Sequence, residues 1–212
     1  MKSRMKSAAV LIGLVVATQL TGCLIVSSGD WEAERRELDG PIRHITASGS
    51  ANLRVIECGC SKLSVYAANS EHAGFDTTVN GDRLFVSGGG DGEVVVRTPA
   101  LESLSLSGSA DVVVEQFNGP ELTITASGSN DVELHGRAGQ LVMRLSGSSN
   151  IDASRLETKH VEIIASGSGD LMVCALESLN VLSSGSADIV YYCDPERVEI
   201  TASGSGDIHA GF

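Results

Sequence analysis

Apolar and polar residues alternate with a period of two along most of this chain. Around Gly128, Leu122, Ile124 and Ala126 precede the glycine at even offsets, and Val132 and Leu134 follow it at even offsets. The same frame sets Val161, Ile163, Ala165, Leu171 and Val173 around Gly167, and Val198, Ile200, Ala202, Ile208 and Ala210 around Gly204. A period of two is the pattern of strands that bury one face, so the chain is predicted to be all-β. Two places after each such glycine the residue is mostly small: Ala51, Ala110, Asn130, Ser149, Gly169, Ala187 and Gly206. Small inward residues beside a glycine predict a tight corner between two strands, with Asn130 as the poor fit.

The frame repeats. Ser-Gly-Ser recurs with its glycine at Gly49, Gly108, Gly128, Gly147, Gly167, Gly185 and Gly204, and the spacings from Gly108 onward are 20, 19, 20, 18 and 19. The first gap, 59, is three such periods. Two degenerate copies can be placed in it, one around Leu63, Val65 and Ala67, the other around Leu84, Val86 and Gly88. One strand pair cannot bury its apolar face alone, whereas stacked copies can, each adding a rung about 4.8 Å above the last. The expectation is a single-domain parallel β-helix, a β-solenoid of about nine coils of 19–20 residues, right-handed as parallel crossovers usually are. A β-sandwich with regular strand spacing is the alternative, but it has no need of identical corners in register.

The N-terminus reads differently. Lys2, Arg4 and Lys6 precede an uncharged apolar run from Ala8 to Ala17, too short for an ordinary spanning helix. Leu20-Thr21-Gly22-Cys23 follows and resembles a lipobox, which implies a signal peptide over residues 1–22, cleavage before Cys23 and acylation there. Acyl chains such as palmitate would anchor the protein stably, at about 0.8 kcal/mol per buried methylene. Leu24 is not the aspartate associated with inner-membrane retention, so an outer membrane lipoprotein is expected, its facing undetermined. Residues 23–40, with Trp31, read as a lipidated tether or N-terminal cap, and 41–212 as the solenoid. Removing the three n-region cations takes the formal charge from −12 to −15. So acidic a chain is a poor partner for nucleic acid.

The recurring pieces Ala202-Ser203-Gly204-Ser205-Gly206-Asp207-Ile208 and Ser107-Gly108-Ser109-Ala110-Asp111-Val112 are similar to the putative auto-transporter adhesin, head GIN domain family. The resemblance covers roughly Ile42 to Phe212. It implies a parallel β-helix and an adhesin-like role, and it supplies no catalytic residues.

Three residues after each corner glycine stands Asn52, Asp111, Asp131, Asn150, Asp170, Asp188 or Asp207. The expected role of these side chains is to accept a backbone N–H at the turn. The alternative is a cation column of Asp111, Asp131, Asp170, Asp188 and Asp207, with calcium as the candidate ion. One carboxylate per rung is few ligands for calcium, however, and the paired glycines of nine-residue calcium repeats are missing. No metal or other cofactor is expected. Four cysteines remain after Cys23, an even number suited to an oxidising compartment. Cys174 and Cys193 each lie eleven residues before the next corner glycine, which predicts a disulfide between adjacent coils. Counted from Leu63 and Leu179, Cys58 shares their column several coils away. Its available partner is Cys60, across Cys58-Gly59-Cys60; free thiols or metal binding are alternatives there.

No HExxH motif or GxSxG elbow is present, so no catalytic residue is assigned and the chain is not expected to be an enzyme. The strongest enzyme alternative is a carbohydrate-active lyase or hydrolase. For it, Asp152, Arg155, Glu157, Lys159 and His160 form the one mixed-charge run, otherwise read as a salt-bridged surface. Tyr191 and Tyr192 could stack a sugar, although Tyr191 falls at an inward offset. The resulting expectation is a non-catalytic, adhesin-like or scaffolding envelope protein. It would be held to the membrane through Cys23 and present a repetitive Ser/Asp surface to a glycan or protein, its oligomeric state left open. A divalent-cation-binding solenoid is the third reading.

Overall fold

The computed structural model describes residues 32–67, 74–90 and 92–211, and it is all-β, with no helix among them. The lipobox, Cys23 and Trp31 lie outside the described residues. The regular part starts at β8 (Ser103–Gly108) and β9 (Asp111–Gly128). It continues through β10 (Asp131–Gly147), β11 (Asn150–Ala165), β12 (Asp170–Ser183), β13 (Asp188–Tyr192), β14 (Arg197–Ala202) and β15 (Ile208–Ala210). Each turn lies parallel on the one before, with the corners in register, as Gly147 is with Gly128 and Gly128 with Gly108. From Gly108 to Gly204 the chain winds through about five turns of β-solenoid.

The expected nine sequential coils are not what the chain builds. Strands β2 (His44–Ser50) and β3 (Asn52–Glu57) carry the Gly49 corner and pair directly with β8 and β9. The Leu84 copy is a true rung, formed by β6 (Arg83–Gly89) and β7 (Gly92–Thr98), but it lies on the opposite side of β2 and β3, with Gly88 against Gly49. The Leu63 copy is not a coil. It is β4 (Lys62–Ala67), which runs antiparallel to β7, while β1 (Glu32–Glu37) pairs antiparallel to β4. Strand β5 (Phe75–Asn80) folds back on β6 through a two-residue turn at Gly81 and Asp82, with Gly81 at φ 62°. The 59-residue gap therefore holds one rung and its antiparallel cover. That cover blunts an edge that would otherwise present unpaired backbone groups.

An ion ladder fastens the displaced rung. Arg54 on β3 bonds Glu93 on β7 at 2.9 Å and Glu115 on β9 on its other side. Burial works against the Arg54 charge, but the two carboxylates outweigh it and hold the guanidinium above its ordinary range.

The frame read from the sequence faces inward as expected. Leu122, Ile124, Ala126, Val132 and Leu134 are buried, as are Val161, Ile163, Ala165, Leu171 and Val173. Around Gly204 it holds only in part: Ile208 packs against the core and Ala210 is half-buried, but the residues before the corner are not covered. Val198 and Ile200 stay 38% and 43% exposed, because among the described residues β14 pairs only with β12 and β15 only with β13. Beside the corners, Asn130 is fully buried and fully used. Its Oδ1 accepts the Ala110 N–H at 3.1 Å, and its Nδ2 donates to the Ser127 carbonyl at 3.2 Å and the Ser149 hydroxyl at 3.0 Å. A polar network this deep is tolerable because every member is satisfied.

Two predictions follow from this packing. At Gly147, φ is 109° and a Cβ would collide with the Gly128 backbone, so Gly147→Ala should lower stability by about 3 kcal/mol. Gly40→Ala, with open space around it, should change stability by less than about 0.5 kcal/mol in the same urea titration. A double-mutant cycle on Asn130→Ala and Ser149→Ala should show coupling of about 1 kcal/mol. Strict additivity would mean that the two side chains do not share a network.

Candidate functional site: the corner column and the bend

The corners stack into a polar edge. Asn52, Asp111, Asp131 and Asn150 are register partners in succession, Asp170 pairs with Asp188, and all the Asp and Asn residues of this column are exposed. Their hydrogen bonds run between rungs rather than within one turn. The Asn150 Oδ1 accepts the Asp170 N–H at 3.1 Å, and its Nδ2 donates to Asp131 Oδ1 at 2.9 Å. The Asp188 Oδ1 likewise accepts the Asp207 N–H at 2.8 Å. Three of the serines before the corners point back to the previous rung: Ser107, Ser127 and Ser166 donate to the Ala47, Leu106 and Leu145 carbonyls at 3.4, 3.4 and 3.3 Å. The serines after the corners are exposed. Among the described residues, no three His, Cys, Asp or Glu side chains converge on a point that a metal ion could occupy. The edge thus offers hydroxyl, amide and carboxylate groups at one-rung intervals.

The opposite bend carries a shallow hollow of roughly 360 Å³, lined by Gln116, Phe117, Asn118, Gly136, Arg137, Arg155 and Glu157. Gly136 forms part of its floor because a Cβ there would strike the Phe117 backbone. Phe117 is itself buried, so the polar side chains supply the exposed rim. This hollow takes in Arg155 and Glu157 of the mixed-charge run, but the run as a whole does not converge. Asp152 is turned onto Ser154, Glu157 pairs with Arg137 on the previous rung at 2.9 Å, and Lys159 and His160 reach Glu177 on the next at 3.3 and 3.6 Å. Tyr191 packs against the core. The hollow was missed from the sequence because Gln116 and Asn118 become neighbours of Arg137 and Arg155 only through stacking. The chain bends there at Gln116 (φ 59°) and Gly136 (φ 136°), and nothing in the local sequence marks Gln116 for such a conformation.

The cysteines form two unlike bridges. Cys174 joins Cys193 with Cα atoms 5.2 Å apart, tying one turn to the next. The two are not register equivalents, however: Cys174 lies opposite Tyr192, and Cys193 follows at φ 73°. The spacing to the next corner is equal for both, but Cys174 lies seven residues after Gly167 and Cys193 eight after Gly185. Cys58 joins Cys60 with Cα atoms 5.3 Å apart, just beyond β3. The column assigned to Cys58 fails because it was counted from Leu63, which lies on antiparallel β4. Beside this bridge, burial pushes the Glu57 carboxyl above its ordinary range, opposed by the Asn118 N–H that it accepts at 2.6 Å.

This fold has known relatives. A putative adhesin from Bacteroides fragilis is 21% identical, with a TM-score of 0.68 over 87% of this chain and 98% of that one. A putative lipid binding protein from Parabacteroides distasonis is 19% identical, with a TM-score of 0.52 over 87% and 98%. Both likenesses are of fold. No curated protein matches the chain. A family model matches residues 41–195, from just before β2 to just past β13. The chain therefore belongs to the family described as putative auto-transporter adhesin, head GIN domain.

Proposed function

We propose that this chain is a non-catalytic, adhesin-like protein of the cell envelope, anchored in the outer membrane by acyl chains on Cys23, whose solenoid contacts a glycan. The observation that carries this reading is the corner column, where the same small polar groups recur on successive rungs, all exposed. A surface that repeats at about 4.8 Å suits a partner that is itself repetitive, each rung adding a weak contact. The hollow at the bend adds amide, guanidinium and carboxylate groups of the kind that hydrogen-bond sugar hydroxyls. The adhesin descriptions of the family and of the Bacteroides fragilis relative support the same role.

Three experiments test the parts separately. Cells fed an alkyne-tagged palmitate should label the wild-type chain in the outer-membrane fraction, and Cys23→Ala should abolish both the label and the fractionation. A glycan array probed with the mature chain should give a defined set of hits, and Asp131→Lys combined with Asp170→Lys should weaken them roughly tenfold, since like or opposite charge at a contact shifts affinity by about that factor. Retained binding in that variant moves the contact to the hollow, to be checked with Arg155→Ala. An array without hits, alongside capture by an immobilised protein, would replace the glycan with a protein partner. A melting temperature equal in calcium and in chelator is expected; a calcium-dependent rise would make the Asp column a cation site.

A further inference from the structure

The Cys58–Cys60 bridge holds no two parts of the fold together. Its cysteines are separated by one residue, so the bond closes a ring within a tripeptide and spans no strand pairing. Cys174–Cys193 is the opposite case. It links one turn to another across 19 residues; Cys174 is 1% exposed and Cys193 lies at the surface, so what sets this bridge apart is the pair of rungs it holds in place. A bridge that constrains the unfolded chain so little stabilises the fold little, because the effect grows with the loop it closes. The Cys58–Cys60 pair is also accessible. Cys58 and Cys60 are half-buried, Gly59 is exposed, and apart from the two cysteines themselves no atom lies within 4 Å of where a Gly59 side chain would begin. The backbone beneath is fixed by the Cys58 N–H, which donates to the Thr98 carbonyl at 2.9 Å, and Thr98 is buried and bonded to the Ile42 carbonyl. Opening this bond would leave both thiols a few ångströms apart on an anchored turn, with every rung in place.

We infer that Cys58-Gly59-Cys60 is a thiol–disulfide exchange site that oxidises exposed dithiols in the envelope. The exposed Gly59 leaves room for a substrate thiolate to approach the turn. Attack forms a bond from the substrate sulfur to one cysteine Sγ and breaks the Sγ–Sγ bond; the other Sγ leaves with the electron pair and takes up a proton. The second substrate thiolate then attacks the substrate sulfur of this mixed disulfide, closing the substrate disulfide and expelling the remaining cysteine, which is protonated in turn. Two electrons and two protons pass to the protein, one substrate disulfide forms per chain, and an external disulfide restores the pair by the reverse steps. Substrate is therefore a class, paired thiols on a flexible or unfolded segment, rather than one molecule.

The test uses the full-length chain in detergent. It is exposed to millimolar reduced glutathione, quenched with an alkylating reagent over time, and mapped by peptide mass. Cys58 and Cys60 should be modified roughly tenfold faster than Cys174 and Cys193. Equal rates, or faster opening of the Cys174 bridge, would overturn the inference. In single turnover, the oxidised chain should convert about one equivalent of a synthetic peptide bearing two cysteines to its disulfide. The Cys58→Ser, Cys60→Ser double variant, which keeps the other bridge, should convert none; undiminished conversion by it overturns the assignment. Should that variant fold poorly, the mapping on the wild-type chain decides alone.

Discussion

At each corner of the solenoid, the carbonyl of one rung occupies the space where a side chain of the next would begin. Gly108 lies against Gly49, Gly128 against Gly108, Gly147 against Gly128, and so on to Gly204. This close approach sets the register of everything else. With the corners aligned, the residues two places on stack as a column of small inward groups, and those three places on stack as an exposed polar edge. A slip of one residue would turn every inward side chain outward, so the glycines and the apolar alternation enforce one another. Asn130 shows how strict the column is. The one large polar residue in it survives by bonding the rungs on both sides, through Ala110 and Ser149.

Most of the repeat was legible because it is local. Period two, the Ser-Gly-Ser spacing and the small residue after each corner can all be counted along the chain, and each describes one rung. Stacking order cannot be counted in that way. Copies around Leu63 and Leu84 looked alike by pattern, yet one became an antiparallel cover and the other a rung on the far side of Gly49. The available clue was Asn80-Gly81-Asp82, a tight-turn sequence between two apolar runs, which favours a hairpin over a coil. The cysteines repeat the lesson. Equal distance to the following corner suggested register partners, but Cys193 sits one residue late because consecutive coils differ in length. The hollow at the bend was illegible for the same reason, since its lining comes from three turns.

The two ends of the stack are chemically unlike. At the end formed by the Leu84 rung, antiparallel strands β4 and β5 satisfy the outer edge. At the other, β14 and β15 keep one backbone edge without a partner among the described residues, with Val198 and Ile200 partly in view. The two bridges follow a similar division of labour. One crosses between turns near the open end; the other decorates a turn near the covered end and crosses nothing.

The displaced rung also dictates an order of assembly. Strands β2 and β3 are synthesised before either of their neighbours, which arrive roughly 40 and 60 residues later along the chain. An emerging chain therefore cannot zip up from its first rung; loops of that length must close before β2 gains any partner, and closure of long loops slows folding. The uninterrupted turns after Gly108 face no such delay, because each finds its template in the turn just completed. Loop closure thus favours the turns after Gly108 as the place to start, with the N-terminal rungs fitted between that stack and the hairpin.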